Sequence, residues 1–344
     1  MLTSLTFNEC KSFSKFGWVM ASVLLMALTV PNYAQAQTVR IASGYGIPYL
    51  PLLIMKNQNL VEKHAAEQGA DGVEVEWLTL GNASVMVDAL LSRNIEFAML
   101  GTTPHILAWD RTLGSIGIRG VASFSALPQY LVTTNPNVNS IEDFGEGDRI
   151  ALPAVKSSLQ ATQLQMAVAE IYGFENHEKL DNLTVSMSNP DGLAALRAGQ
   201  ISAHFSNPPF QNIELDFPNA RLLLSSVDVL GGPSTNGIIS TTTAVHNEHP
   251  EVIHAMVAAL NEAMAMIRED QERAVDIYFE EDTGTQVSRD MVLEIIRRDD
   301  VDFSTTPNNT MKYADFMFQT GRINNMPESW QDMFFPEIHQ ADGS

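Results

Sequence analysis

The feature of this sequence that most restricts its fold is a repeated alternation of strand-like and helix-like segments. Short runs with many β-branched residues, such as 39–43 and 73–80, alternate with longer segments whose apolar residues recur at helical spacing, such as 48–68. Strands that alternate with helices favour parallel pairing in a sheet that helices cover. The sequence therefore predicts an α/β protein with mostly parallel strands.

The alternation occurs in two successive runs. The first run predicts strands and helices over 39–43, 48–68, 73–80, 83–92, 95–100 and 118–123. The second run predicts strands over 131–134, 149–152, 183–187 and 201–205, a long helix between Ser158 and Gly173, and a helix over 191–198. Two further predicted strands, 222–224 and 237–241, return to the first unit, and the chain after Pro250 is mainly helical. No repeat with a period of about 20 to 50 residues is present, which argues against solenoids and propellers.

The first 36 residues have the pattern of a secretory signal peptide. Lys11 and Lys15 precede an apolar run over 16–30, which is too short for a membrane span. Ala34 and Ala36 then supply the small residues that signal peptidase accepts. A buried N-terminal helix would explain the apolar run but not these two alanines. The sequence predicts cleavage after Ala36 and a periplasmic location.

Composition narrows the functions open to the mature chain. The single cysteine, Cys10, lies in the predicted leader before its apolar run, so we expect no disulfide, no thiolate metal site, no lipid anchor and a soluble product. The formal net charge of −21 disfavours nucleic acid and anionic membrane surfaces. No motif for a cofactor or for a catalytic nucleophile is present, and no cofactor is predicted.

Six segments of the chain, taken in their order and spacing, resemble those of a known protein family. They are 39–46, 89–101, 140–153, 194–208, 249–251 and 301–321. In these segments the chain resembles the substrate-binding proteins of ABC importers for nitrate, sulfonates and taurine, a family that also contains binders of thiamine-pyrimidine precursors. The resemblance covers nearly the whole of the chain after Ala36.

The resemblance implies a two-lobed periplasmic binding protein fold of type II, with a discontinuous first lobe and two hinge strands. The first lobe would comprise 37–128 and then 225–344, which includes the C-terminal helices, and the second lobe would comprise 129–224. A ligand cleft would lie between the lobes.

The resemblance also implies a function as the extracytoplasmic component of an ABC transporter. A monomeric protein would capture a small organic solute, such as a sulfonate or carboxylate, and deliver it to the permease subunits in the membrane. One alternative is a periplasmic ligand sensor for a signalling receptor, and another is a binder of a neutral pyrimidine-type thiamine precursor. An enzyme is not predicted, because the pyrimidine synthase that shares this architecture needs a cysteine-rich iron motif.

The candidate ligand-binding residues lie in turns that lead from strands into helices. Ligands of open α/β sheets bind beyond the carboxyl ends of the strands, where helix N-termini present unpaired N–H groups. Thr102 and Thr103 would face Ser157 and Ser158 across the cleft, and Tyr45 would cap the ligand. Each of these hydroxyl residues, taken alone, is by default a helix cap. The prediction of a binding site depends on their convergence at the ends of successive strands. The full predicted set is Tyr45, Gly46, Asn82, Thr102, Thr103, Ser157, Ser158, Asn207 and Phe210.

Two further patterns bear on the kind of ligand. His246, His249 and His254 match no zinc-site spacing and are interpreted as surface residues, so no metal site is predicted. No arginine lies in a candidate turn, and Lys156 is the only base nearby, so no bidentate clamp for an anion is evident. This keeps open a neutral heteroaromatic ligand held by Tyr45 and Phe210.

Overall fold

The computed structural model describes residues 37–282, 284 and 286–344 of the chain. The predicted signal peptide and its cleavage site lie outside these residues. The described residues form ten strands: β1 (Gln37–Ser43), β2 (Val73–Thr79), β3 (Phe97–Leu100), β4 (Ile118–Ser125), β5 (Tyr130–Thr133), β6 (Ile150–Leu152), β7 (Thr184–Ser186), β8 (Ala203–Ser206), β9 (Arg221–Ser225) and β10 (Gly237–Thr242).

The same residues form thirteen α-helices: α1 (Leu50–Asn57), α2 (Leu60–Glu67), α3 (Ala83–Leu91), α4 (Thr102–Thr112), α5 (Leu159–Tyr172), α6 (Asn189–Arg197), α7 (Phe210–Leu215), α8 (Ser226–Leu230), α9 (Thr243–Glu248), α10 (Pro250–Glu269), α11 (Gln271–Glu281), α12 (Arg289–Ile296) and α13 (Thr310–Gln319). Short 3-10 turns occur at Ile47–Tyr49, Ile141–Asp143, Phe174–Asn176, Asp181–Leu183, Trp330–Met333 and Pro336–Ile338. Among the described residues, no helix combines the length and the apolar character that crossing a membrane requires.

The first sheet has the strand order β2-β1-β3-β10-β4. Strand β1 runs parallel to both of its neighbours, β2 and β3, as the alternation of strands and helices predicts. Strand β10 is antiparallel to β3 and to β4. Because β10 follows the whole second run in sequence, the chain returns to complete the sheet with which it began.

The second sheet has the strand order β7-β6-β8-β5-β9. Strand β6 is parallel to β7 and β8, whereas β5 is antiparallel to β8 and β9. The prediction that residues 222–224 return to the first unit is therefore wrong, since β9 pairs with β5 in the second sheet. Of the two predicted return strands, only the second, which becomes β10, joins the first sheet.

The chain passes between the two sheets twice, at residues 126–129 and at residues 226–236. These two crossings are hydrogen-bonded to each other. The Ser226 N–H donates to Gln129 O at 2.9 Å, and the Gln129 N–H donates to Ser226 Oγ at 3.0 Å. The Leu127 N–H donates to Asn236 Oδ1. The two crossings thus form one connected strip between the sheets.

The predicted single helix over 48–68 is wrong. A 3-10 turn at Ile47–Tyr49 is followed by α1 and α2, which are separated at Gln58 and Asn59. Asn59 has a φ of 50°, a left-handed conformation that asparagine tolerates better than most residues and that interrupts the helix. Hydrophobic periodicity did not reveal the break, because both helices bury apolar residues against the same core.

Local signals at helix ends give more accurate predictions. The predicted N-cap of α3, Asn82, accepts a hydrogen bond from the Ser84 N–H at 2.8 Å through Oδ1. Gly173 ends α5 with a φ of 87°, as expected for a glycine beyond the last helical residue. Both predictions are confirmed, because each depends on only a few neighbouring residues.

Each sheet has its own hydrophobic core. The larger core packs α1, α2, α10 and α11 against the first sheet, and it includes the fully buried Phe97, Phe124 and Tyr278. A smaller core packs α5 against the second sheet around Leu164 and Phe205. Two smaller clusters, around Leu100 and around Leu196, add to the packing of helices on the two sheets.

The stability of the first sheet and its helices should depend on pH through His105, a buried residue of α4. Its Nδ1 lies 2.9 Å from Ser240 Oγ and its Nε2 lies 3.1 Å from Met333 O. Burial lowers the pKa of His105 to about 4 from an ordinary value of 6.5. Between these values the unfolded chain binds a proton that the folded chain does not. We expect the free energy of unfolding to fall by about 3 kcal/mol as the pH decreases through this window.

Urea denaturation at a series of pH values measures this dependence. The control is His105→Gln, which removes the titrating ring while retaining polar atoms. The difference between the free energies of unfolding of the two proteins, taken at each pH, separates the effect of His105 from that of other groups that titrate in the same range. Parallel pH profiles for the two proteins would contradict the prediction.

Candidate functional site

A cavity of about 100 Å³ lies between the two sheets. The first sheet and its helices contribute one wall, the second sheet and its helices contribute the other, and both crossings reach it. The two walls and the crossings contribute these polar residues to the lining: Tyr45, Asn82, Gln129, Ser158, Gln160, Asn189, Asn207 and Asn236. A molecule bound in this cavity would therefore contact both sheets at once.

The parallel strands explain why these residues meet. In the first sheet, Gly44, Gly81 and Gly101 follow the carboxyl ends of β1, β2 and β3 and line the cavity. In the second sheet, Pro153 follows β6 and Asn207 follows β8. The carboxyl edges of both sheets thus face the cavity, which is where open α/β sheets bind their ligands.

The N-termini of α3, α4, α5 and α6 all reach the cavity. Asn82, Gly101 and Ser158 are the N-cap residues of the first three, and Asn189 is the first residue of α6. Backbone N–H groups in the first turn of a helix lack helical partners, and the helix dipole places partial positive charge there. The cavity is consequently rich in hydrogen-bond donors from the backbone.

Four of the predicted binding residues line this cavity: Tyr45, Asn82, Ser158 and Asn207. Ser158 also acts as a cap, since its Oγ accepts from the Ala161 N–H at 3.2 Å and donates to Ala154 O at 2.7 Å. Part of the polar capacity of Ser158 is therefore used within the protein.

The other five predicted residues do not line it. Thr102 and Thr103 are fully buried behind the cavity, and Thr102 Oγ1 donates to Thr235 O at 2.5 Å. The Thr103 hydroxyl is also buried and has no hydrogen-bond partner among the described residues. Ser157 lines a separate groove between α3 and α4. The hydroxyl pairs predicted to face each other are therefore not brought together at the cavity.

Gly46 and Phe210 line a wider groove of about 670 Å³ on another side of Tyr45. Gly46 has a φ of 100°, and an added Cβ would lie 2.6 Å from Pro208 O. The Ile47 N–H donates to the same Pro208 oxygen at 3.0 Å, and Asn207 Nδ2 donates to Tyr45 O at 3.4 Å. These contacts join the loop after β1 to the loop after β8, directly across the space between the sheets.

Sequence reasoning missed four amide side chains of the cavity: Gln129, Gln160, Asn189 and Asn236. Gln129 and Asn236 lie on the two crossings, more than a hundred positions apart in sequence, so no local pattern relates them. Asn189 carried a usable signal, because it follows a strand and begins a helix ahead of Pro190. Its side chain is an amide, whereas the predicted site was based mainly on hydroxyl groups at helix starts.

Among the described residues that line the cavity, none has a charged side chain. Lys156, the base predicted to lie nearby, is outside the lining and places its Nζ 3.0 Å from Glu178 and 3.5 Å from Asp181. The Glu178 carboxylate raises the pKa of Lys156, which keeps the ammonium charged and paired. The charge of Lys156 is thus directed at the protein surface and not at the cavity.

Substituting Lys156 should therefore leave solute binding unchanged. We expect Lys156→Met to alter the dissociation constant of the tightest-binding solute by less than about twofold, which is less than 0.5 kcal/mol. Isothermal titration calorimetry measures the change. A tenfold loss of affinity in this variant would instead place the ammonium at the solute.

Aromatic and sulfur-containing side chains form the apolar part of the wall. Tyr49, Phe124, Met86 and Met99 line the cavity, and the rings of Tyr49 and Phe124 lie 5.6 Å apart at their centroids. Burial raises the pKa of Tyr49 to about 12, so its hydroxyl stays protonated at neutral pH. A Cβ at Gly44 would lie 2.6 Å from the Tyr49 Oη, which explains the glycine there.

Three lining side chains have buried polar atoms without a hydrogen-bond partner in the described part of the chain. The atoms are Gln129 Oε1, Asn189 Oδ1 and Asn236 Nδ2. These side chains are more than nine-tenths buried, with exposures of 3%, 9% and 7%. Buried polar groups are nearly always paired in folded proteins, and these three belong to side chains that line one cavity.

The histidines considered for zinc lie elsewhere. His246 stacks on Phe335 with ring centroids 4.0 Å apart and pairs with Glu337 at 2.8 Å. His249 places Nδ1 3.0 Å from Gln37 Nε2. Across residues 37–282, 284 and 286–344, no group of three or more histidine, cysteine, aspartate or glutamate residues is arranged to hold a metal ion.

Neither a protein-family model nor a curated protein matches this chain. Solved structures do resemble it. The alkanesulfonate-binding protein SsuA from Xanthomonas axonopodis pv. citri, bound to MOPS, matches with a TM-score of 0.66 and 16% identity over 85% of this chain and 96% of its own. The periplasmic nitrate-binding protein NrtA from Synechocystis PCC 6803 matches with a TM-score of 0.63 and 13% identity over 87% of this chain and 84% of its own.

A third similar structure identifies the shared architecture. The Candida albicans CA3427 gene product, which exhibits the generic periplasmic binding protein fold, matches with a TM-score of 0.61 and 14% identity over 87% of this chain and 96% of its own. At these low identities the likeness concerns the fold. The described chain has the periplasmic binding protein fold, and this prediction is confirmed. The prediction of mostly parallel strands is wrong, because four of the eight strand pairs in the described residues are antiparallel.

Proposed function

We propose that this chain is the solute-binding component of an ABC importer. It would capture one small organic solute between its two lobes in the periplasm and deliver it to the membrane permease, acting as a monomer and without catalysis. One observation supports the proposal above the others: both sheets and both crossings contribute to the lining of a single cavity. A solute there links the lobes, which is what a binding protein of this fold requires.

The proposed mechanism is a shift in population between open and closed forms. A solute that contacts both walls stabilises the closed form by its additional contacts, and the permease then recognises that form. The bond from the Ile47 N–H to Pro208 O and the bond from Asn207 Nδ2 to Tyr45 O exist only while the walls are close together. The strip formed by the two crossings would supply the hinge.

The proposed lobes follow the predicted boundaries, with residues 37–128 and 225–344 in the first lobe and 129–224 in the second. The proposed solute contacts are Tyr45, Asn82, Ser158 and Asn207, together with the amides that sequence reasoning missed. SsuA and NrtA, which share the fold, are binding proteins for an alkanesulfonate and for nitrate. Their function favours solute capture here, although their ligands need not be shared.

Native mass spectrometry and small-angle X-ray scattering together test the proposed function. The purified protein is incubated with a small-molecule extract of its own cells, and the bound species is identified and titrated back. We expect one unmodified solute per chain and a smaller radius of gyration on binding. Chemical conversion of the solute, or binding without compaction, would contradict the proposal.

A further inference from the structure

We infer that the solute is uncharged and presents an amide-type group, in which a hydrogen-bond donor and an acceptor lie side by side, as in a carboxamide, a lactam or a urea. The inference rests on the proposed function, because it concerns the occupant of the same cavity. It differs from an assignment by likeness, since the similar structures include binders of anions.

The first observation is the absence of charge around the cavity. None of the described residues that line it has a charged side chain, and two cations outside the lining are bonded to other parts of the protein. Lys156 pairs with Glu178, and Arg322 donates to Thr162 Oγ1 at 2.9 Å and to Lys156 O. An anion buried here would lose its hydration without gaining a formal counter-charge. Only the helix N-termini would compensate it.

The orientation of Asn189 distinguishes an anion from an amide. Asn207 Nδ2 donates to Tyr45 O, which leaves Asn207 Oδ1 as an acceptor. Asn189 Nδ2 donates to that oxygen at 3.0 Å. This chain of bonds fixes Asn189 Oδ1 as an unpaired buried acceptor. A ligand with an N–H group satisfies it, whereas a nitrate, sulfonate or carboxylate would bring a second acceptor against it.

Asn236 has the opposite requirement. Its Oδ1 accepts the Leu127 N–H from the other crossing, so its Nδ2 is fixed as a donor, and this nitrogen has no partner among the described residues. A ligand carbonyl satisfies it. Gln129 Oε1 is also buried and unpaired, and no protein contact fixes which way the Gln129 amide is turned. Gln129 can therefore accept a second N–H or donate to a second carbonyl.

The remaining wall suits the carbon skeleton of such a molecule. Met86, Met99 and Phe124 offer apolar contact, and methionine adapts to irregular shapes. A site built to bond a donor group discriminates strongly against an analogue that lacks it, because its own buried polar atoms are then left unpaired. We therefore expect selectivity between molecules of nearly equal size that differ only at the amide.

Matched pairs of ligands test the inference by isothermal titration calorimetry. Benzamide and benzoate have nearly the same shape, as have acetamide and acetate, and nitrate and methanesulfonate complete the panel. We expect the amide of a pair to bind at least tenfold more tightly than the acid. Tighter binding of the acid, of nitrate or of methanesulfonate would overturn the inference, as would a failure of both amides to bind at millimolar concentration.

A variant tests whether the donor on Asn236 is responsible. Asn236→Asp preserves the oxygen that accepts from Leu127 but replaces the Nδ2 donor with an acceptor, and it should abolish the preference for the amide. Asn212→Asp is the control, because Asn212 also has a buried unpaired amide oxygen but lies outside the lining. The inference would be overturned if Asn236→Asp still preferred the amide to the acid as the unaltered protein does. It would also be overturned if both variants lost this preference to the same extent.

These outcomes separate the inference from the proposed function. If a co-purified solute compacts the protein but is an anion, the ligand class is wrong and the binding function stands. If the amides bind with the expected preference but the radius of gyration does not change, the ligand class stands and the delivery mechanism is wrong.

Discussion

Replacing Gly46 with alanine is expected to weaken solute binding at least tenfold. An added Cβ would lie 2.6 Å from Pro208 O across the space between the lobes. This oxygen belongs to the backbone, so it cannot turn aside as a flexible side chain could. The loops that carry Gly46 and Pro208 must separate, which destabilises the closed form relative to the open form. A tenfold loss corresponds to about 1.4 kcal/mol of this difference.

Isothermal titration calorimetry measures the affinity, and small-angle X-ray scattering measures the compaction. The alanine also strains the backbone, because Gly46 has a φ of 100°. Gly69→Ala is the matched control, since Gly69 has a φ of 85° and nothing lies within 4 Å of its added Cβ. It should lower stability but leave affinity unchanged. Equal affinities for Gly46→Ala and the unaltered protein would show that the two loops do not meet in the bound state.

Removing the carboxylate of Glu214 is expected to lower the free energy of unfolding by about 3 to 5 kcal/mol. Glu214 and His204 are both fully buried, and His204 Nδ1 lies 2.5 Å from Glu214 Oε1. The second carboxylate oxygen accepts from Ser206 Oγ at 3.2 Å. In Glu214→Ala, both polar side chains of β8, which are fully buried, would lose their partner. Urea denaturation measures the loss.

Two further variants separate the polar network from simple loss of volume. Glu214→Gln retains an acceptor of similar size and should be less damaging than alanine. The double variant His204→Leu with Glu214→Leu removes both groups and should recover much of the stability, because apolar replacements of a buried pair are often tolerated. A loss below about 1 kcal/mol in Glu214→Ala would contradict a structural role for this pair.

The His204–Glu214 pair also bears on the cavity. Strand β8 contains His204 and Ser206 and leads directly into Asn207, whose amide contacts both Tyr45 and Asn189. Anchoring β8 to α7 therefore fixes the position of Asn207. An added Cβ at Gly192 would overlap His204 Nε2, so the glycine of α6 lets that helix approach the same strand.

Features set by a few neighbouring residues could be predicted from the sequence. The cap at Asn82 and the helix end at Gly173 depend on local hydrogen bonds and a local φ value, and both are as expected. The break at Asn59 also has a local cause, but the apolar spacing continues through it, so it was not detected. The pairing partner of β9 was predicted wrongly, because the same strand sequence suits either sheet.

The cavity residues were harder to predict for a physical reason. Hydroxyl residues at helix starts are recognisable in sequence, yet Thr102 is fully buried and Ser158 uses its hydroxyl to cap α5. Gln129 and Asn236 have no such signal, because the chain brings them together only after both sheets have formed. The orientation of the Asn236 amide depends on a tertiary hydrogen bond from the Leu127 N–H, which no spacing rule contains.

The connected strip between the sheets has a practical consequence for a biosensor built on this chain. Gln129 and Asn236 line the cavity, and both belong to the bonds that join the two crossings. Gln129 contributes only its backbone N–H and carbonyl to these bonds, whereas Asn236 contributes its side chain. A substitution at Asn236 would therefore change solute preference and hinge stiffness together, so sensitivity and signal amplitude could not be tuned independently there. Met86 and Met99 line the same cavity away from the crossings. Solute selectivity is therefore better redesigned at these two methionines, because substitutions there do not alter the bonds between the two crossings.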